Sequence, residues 1–166
     1  MGKCRFNVSY QRDKNPSYYQ GEKNTYIRDI GRFAISVNTN FSKKVAFTIL
    51  NTVNLARSAS KLDQPSESFS ESINLNARTN ILKFSVNASF SYNHSKDFAT
   101  GHKVNQTNLG ASISRNVGRY VSMSLNGSNL LDSKSSKILS RTAEYFSQSV
   151  SSQIGRYIYM MLSYKF

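Results

Sequence analysis

His94, Asp97 and His102 sit close together in one polar connector. Two imidazoles and a carboxylate are a set that could hold a metal ion. Their surroundings are polar and charged, which favours a solvated loop, and no metal or cofactor is expected. Glu67 and Glu71 share a parity and could share a face. A carboxylate pair can do general acid–base work, but this one lies at the edge of a polar connector and is expected to be surface. Cys4 is the single cysteine, so neither an intrachain disulfide nor a cysteine-based metal site is available; it is expected to be a small strand residue. None of the spacings G-x-S-x-G, HExxH, GxxxxGK[ST] or GxGxxG occurs. Catalysis is not expected.

The ordered features of this chain are its strands. In "LKFSVNASFSYN", Leu82, Phe84, Val86, Ala88, Phe90 and Tyr92 alternate with Lys83, Ser85, Asn87, Ser89, Ser91 and Asn93. Successive strand side chains point to opposite faces, so this is a strand with one apolar and one polar face. The pattern recurs at Phe6–Tyr10, Phe33–Phe41, Val45–Leu55, Phe69–Ala77, Leu109–Ile113 and Val121–Leu125, and weakly in "EYFSQSVSSQ". It closes the chain in "GRYIYMMLSYKF", where Ile158, Met160, Leu162, Tyr164 and Phe166 share one face. The reading is all-β: an antiparallel up-and-down meander of about nine strands, or ten if "YYQGEKNTYIR" is separate. Each spans roughly 10–13 residues, against the ~9–11 that a tilted strand needs to cross a bilayer. The whole chain, 1–166, reads as a single domain.

Short connectors are expected at 42–44, 78–80, 116–119 and 153–156, alternating with longer polar ones. A repeated Gly-Arg-aromatic step marks Gly31, Gly118 and Gly155 as turn residues, since glycine supplies the positive φ of a tight turn. The arginine and ring that follow suit a membrane–water interface.

Hydrophobic content is 39% and no run of eighteen apolar residues exists, which excludes a transmembrane helix but not a barrel. The net charge of +13 comes from scattered Lys and Arg; only Lys43 and Lys44 are adjacent. Contact with anionic headgroups at the rims, with Lys83 or Lys165 facing a wet lumen, fits better than a compact phosphate-binding stripe. Nucleic acid is therefore not an expected partner. A soluble basic β-protein that binds nucleic acid or anionic glycans remains the alternative, with an adhesin-like segment third. The two main readings differ in where the apolar stripes go. A membrane barrel points Phe84, Val86, Phe90, Ile158, Met160 and Leu162 at lipid; a soluble barrel turns them inward. The start, "MGKCRFNVSYQR", carries no export-signal pattern and no myristoylation motif.

The last fifty or so residues resemble the C-terminal end of Bacteroidetes-type TonB-dependent receptors and related outer-membrane barrels. Asn129, Leu130, Leu131 and Asp132 match the N-L-[LF]-[DN] stretch that ends a late strand in that family. Tyr164 and Phe166 match its aromatic final strand. The resemblance implies an outer-membrane β-barrel forming a wall or pore for transport or anchoring. It also implies that Tyr164 and Phe166 are the signal read by the barrel-assembly machinery, and that the last strand closes on the first. No plug domain is expected in this chain. With "QIGR" as the turn before the last strand, the longer connectors would lie on the periplasmic side, the reverse of the usual arrangement, and nine strands would break the even-number rule. Both difficulties ease if the chain is the C-terminal piece of a larger barrel whose upstream strands lie elsewhere.

Overall fold

The computed structural model describes residues 2–19, 22–42, 45–60, 65–99, 101–133, 136–141, 146–151 and 155–165. Ten strands form: β1 (Gly2–Tyr19), β2 (Glu22–Ser42), β3 (Val45–Ala59), β4 (Ser66–Ile81), β5 (Phe84–Asp97), β6 (Lys103–Val117), β7 (Val121–Ser128), β8 (Ser136–Arg141), β9 (Phe146–Ser151) and β10 (Tyr157–Tyr164). Eight of them make one antiparallel sheet in the order β1-β2-β3-β4-β5-β6-β7-β10. The fold is an all-β up-and-down meander. Among the described residues β8 and β9 pair only with each other, in a separate hairpin.

The pairing corrects several expectations. The tenth strand is not "YYQGEKNTYIR"; that stretch lengthens β1 and β2 into a hairpin paired from Tyr19↔Glu22 onward. β10 does not follow β9 in the sheet. It pairs with β7, from Tyr157↔Ser128 to Tyr164↔Val121, so residues 129–156 form one long connection that carries the β8–β9 hairpin. "QIGR" is therefore not a short turn between neighbouring sheet strands. The sheet itself is open: among the described residues β1 pairs only with β2, and β10 only with β7, rather than closing a barrel.

The main sheet thus has an even number of strands and two unlike ends. At one end β2, β4 and β6 pass to β3, β5 and β7 through two, two and three residues. Gly2 and Tyr164 lie at this end as well. The other end carries the connections 60–65, 98–102 and 129–156, together with the projecting β1–β2 hairpin. The longer connections thus all lie at one end and three of the four short ones at the other, the two-residue β1–β2 connection being the exception, and the strand that runs toward Phe166 descends to the short-turn end.

Two turn positions also move. Gly31 is not in a turn. It lies inside β2, paired with Tyr10 and Leu55, and its φ is not in the left-handed region. The stripe Val37-Ile35-Phe33 simply continues through it, and β1 supplies a partner along its whole length. The expected turn at 78–80 falls instead at Leu82 and Lys83, because the β4–β5 ladder runs on to the Ile81↔Phe84 pair. Lys83 is thus a turn residue rather than a lumen-facing strand residue. Leu82 adopts φ 56° and is 93% exposed. A left-handed backbone costs a non-glycine residue about 1–2 kcal/mol, which the long ladders on both sides of this turn can carry. Gly118, by contrast, does occupy a tight turn, with φ 77°.

Candidate functional site: an apolar sheet face opposite a polar groove

Strand register builds the site. One complete rung crosses all eight strands: Gly2, Thr39, Phe47, Ala77, Ala88, Ala111, Gly127 and Ile158. Because side chains alternate with period two, every second residue from this rung shares its face. That face holds Cys4, Phe6, Val8 and Tyr10 of β1, then Phe33, Ile35 and Val37 of β2. It continues with Ile49, Leu75, Phe90 and Leu109, and ends with Leu125, Met160 and Leu162. Phe84, Val86, Phe90, Ile158, Met160 and Leu162, singled out by their alternation, all lie on it.

The apolar face is not covered by another layer: its residues on the outer strands are exposed, and Ile49, Leu75, Phe90 and Leu109 at its middle are partly so. Val8 is 75% exposed, Ile158 and Met160 are both 68%, and Leu125 is 48%. Among the described residues no hydrophobic side chain is buried; the three buried residues, Asn24, Thr52 and Asn129, are polar. A water-soluble sheet normally does the opposite, covering its apolar face with another layer. Here the sheet curls toward its polar side. A groove of about 520 Å³ there is lined by Thr48, Asn76, Arg78, Asn87, Ser89, Ser112, Asn126, Ser128 and Tyr159, from β3 through β7 and β10.

Amide–hydroxyl hydrogen bonds knit the polar face together. Thr48 Oγ1 donates to Asn38 Oδ1 (2.8 Å), Asn54 Nδ2 to Ser70 Oγ (3.2 Å) and Asn87 Nδ2 to Ser112 Oγ (3.4 Å), each across neighbouring strands. Asn74 and Asn126 donate along their own strands, to Ser72 and Ser124. Short polar side chains of this kind satisfy one another and leave space at the groove centre.

The apolar band is edged by charge and rings. At the long-connection end Arg12 meets Asp29 at 3.4 Å and Arg57 meets Glu67 at 3.6 Å. Tyr10 donates from its hydroxyl to Asp29 (2.6 Å), and Lys96 stands 4.5 Å over the Phe98 ring. At the short-turn end the Arg115 guanidinium lies 5.1 Å from the Phe84 ring, and Tyr120 sits beside Tyr164. These exposed ion pairs contribute little stability by themselves. Their placement is what matters: rings and cations frame the band on both sides. Asn51 interrupts the stripe, and its amide is satisfied by Glu71 (3.0 Å).

Residues read as possible chemistry are not assembled into a centre. Glu67 and Glu71 do share a face, but inside β4 rather than on a connector, and each has its own partner. His94 is bonded to Asn105 across the β5–β6 ladder, while Asp97 accepts from the Ala99 amide and its own amide donates to the His102 carbonyl. Among the described residues no group of three His, Cys, Asp or Glu side chains could hold a metal ion, and no helix is long and apolar enough to cross a membrane.

The Asn129–Asp132 segment proves to be a built turn. Asn129 (φ 49°) and Asp132 (φ 54°) both take the left-handed conformation, which asparagine and aspartate tolerate better than most residues. Asn129 is 4% exposed; its Oδ1 accepts from the Ser133 amide (3.0 Å) and its Nδ2 donates to the Ser133 carbonyl (3.2 Å). The Leu130 amide reaches the Leu109 carbonyl, and the Leu130 side chain fills the space beside Gly127. Asp132 then accepts from the Arg156 amide (3.3 Å), with the Arg156 guanidinium 3.9 Å away. A Cβ on Gly155 would come within 3.1 Å of that carboxylate. Gly155 thus serves close approach, not a positive-φ turn. The sequence pattern marked the motif but not its purpose, which is to hold the chain just ahead of β10 against the end of β7. Tyr164 lies on the apolar face opposite Val121. Phe166 lies outside the described residues.

Comparison with protein-family models, with curated proteins and with solved structures finds no match to this chain.

Proposed function

We propose that this chain is a membrane-spanning β-sheet wall of the outer-membrane type, with its apolar face on lipid and its Ser/Asn face on an aqueous interior. The observation that carries this reading is the exposure of an apolar stripe on eight consecutive sheet strands, without a buried hydrophobic side chain among the described residues. Three further features support it. Aromatic and cationic side chains frame the band. The longer connections all lie at one end, and apart from the β1–β2 connection the short ones lie at the other, much as in outer-membrane barrels. The N-L-L-D turn and the aromatic last strand resemble the C-terminal region of TonB-dependent receptors, which suits passage through the barrel-assembly machinery and the outer membrane as location. The role is structural: a wall or anchor with a wet interior.

Heat-modifiability tests this. Refolded into detergent or liposomes and run unboiled, the chain should migrate as a compact, faster band that slows on boiling. A soluble monomer in plain buffer, with no mobility shift in detergent, would rule the membrane reading out.

A further inference from the structure

We infer that β1 and β10 pair with each other in the membrane, in the register that sets Tyr164 opposite Cys4, and so close the eight strands into a barrel. The inference rests on the membrane reading above. A strand edge facing hydrocarbon leaves a row of backbone N–H and C=O groups unsatisfied, so open sheet edges are not viable in lipid. β1 and β10 carry the two open edges of this sheet. They are strands one and eight of an even meander, hence antiparallel to each other, and an antiparallel seam is what closure of an up-and-down sheet requires.

The apolar band supplies the register. Through the sheet, Ile158 lies on the rung of Gly2. Yet the apolar run of β1 is Cys4–Tyr10, ended by the Arg12–Asp29 pair, whereas that of β10 is Ile158–Tyr164. Between them the upper limit of the band falls, though not strand by strand: on β3 it still reaches Leu55, on the rung of Tyr10. On β4, β5 and β6 the polar residues Glu71, His94 and Asn105 stand on the rung of Val8, with Phe69 beyond Glu71. This diagonal is what a band perpendicular to the axis looks like on tilted strands. For the band to meet itself, Ile158 must stand opposite Tyr10, Met160 opposite Val8, Leu162 opposite Phe6 and Tyr164 opposite Cys4. A slip of one residue would set the apolar face of β10 against the polar face of β1. A slip of two would place Ile158 against Arg12, or leave Tyr10 without an apolar neighbour.

This seam displaces the sheet by eight residues, from Gly2 to Tyr10, over one circuit of eight strands. With a rise of about 3.4 Å per residue and a spacing of about 4.8 Å between strands, the tilt is about 35°, at the lower end of the usual barrel range of about 35–45°. The ring is then about 15 Å across from backbone to backbone, a size whose interior is normally filled by side chains. A lining mostly of Ser, Asn and Thr, with Arg78 and Tyr159, leaves it wet yet too narrow for nutrient-sized solutes. The closed chain is a small barrel with a hydrated interior, not by itself an uptake conduit.

Cysteine cross-linking in the detergent-folded chain decides the register. Opposed residues in an antiparallel pair have Cα atoms about 4.5–5.5 Å apart, within disulfide reach, whereas diagonal ones lie beyond it. Tyr164→Cys should form an intrachain disulfide with native Cys4 on mild oxidation, at least tenfold faster than Leu162→Cys does. A second pair guards against poor folding of the first: on a Cys4→Ser background, Phe6→Cys with Leu162→Cys should cross-link, and Phe6→Cys with Tyr164→Cys should not. Disulfide-linked dimers in place of intrachain bonds would mean that a second copy covers the edges, overturning the seam. A heat-modifiable band without either cross-link would overturn the seam while leaving the membrane reading intact. A soluble, unshifted monomer would remove both.

Discussion

Leu125→Arg should destabilise the folded protein in lipid by about 2–4 kcal/mol, while Ser124→Arg, one residue away, should cost under about 1 kcal/mol. Leu125 sits on β7 between Ile113 and Met160, midway down the apolar run Val121–Leu125 and its continuation at Gly127, and is 48% exposed. In a bilayer that exposure is contact with hydrocarbon, where a guanidinium loses its hydration without gaining a partner. Ser124 points to the polar groove, where water and neighbouring amides can receive the charge. Chemical unfolding of the two variants in the same liposomes gives the comparison. Equal effects would mean that the two faces see the same medium, and the assignment of lipid to the apolar face would fall.

Asn129→Ala should cost about 2–4 kcal/mol and release β10 ahead of the rest of the sheet. The substitution removes two side-chain hydrogen bonds to Ser133 from a nearly buried site, a loss of about 1–3 kcal/mol. It also asks alanine to hold φ near 49°, which costs a further ~1 kcal/mol. The turn is coupled to β10 through Asp132 and Arg156. The expected signature is therefore local: tryptic cleavage after Arg156 at a denaturant concentration that leaves β2–β5 protected. Glycine at position 129 separates the two contributions, because it restores the backbone preference but not the hydrogen bonds. If Asn129→Ala unfolds the sheet uniformly, the turn is not a separate clamp on β10.

Much of the fold is written locally. Strict alternation in 84–93, and a looser one in 157–164, set the strands and their two faces, because a face assignment needs only parity. What alternation does not encode is which strand adjoins which. Residues 146–151 alternate no worse than some sheet strands, yet they pair with 136–141 in a hairpin outside the sheet. The neighbour of β10 is set by the Asn129–Asp132 turn and by the match of Ile158–Leu162 to Gly127–Met123, both long-range facts. Gly31 misled for a related reason: glycine before arginine and an aromatic marks a turn only if the ladder stops there, and β1 is long enough to carry it past. Turn position is similarly soft at 78–83, where the extra Ile81↔Phe84 rung outweighs the poor fit of leucine to a positive φ. The apolar band was visible residue by residue; its diagonal course, and the rings and cations that frame it, emerge only once the register is known.

Site-directed spin labelling in liposomes tests most directly whether lipid covers the apolar face. On a Cys4→Ser background, single labels at Val86, Leu125 and Met160 report one face, and labels at Asn87, Ser124 and Asn126 the other. Labels on the first three should be relaxed mainly by oxygen, which concentrates in hydrocarbon, and hardly at all by a water-soluble nickel chelate. Labels on the second three should show little oxygen enhancement. The opposite pattern, with Val86, Leu125 and Met160 open to the nickel chelate, would place the apolar face in water and contradict the membrane assignment outright.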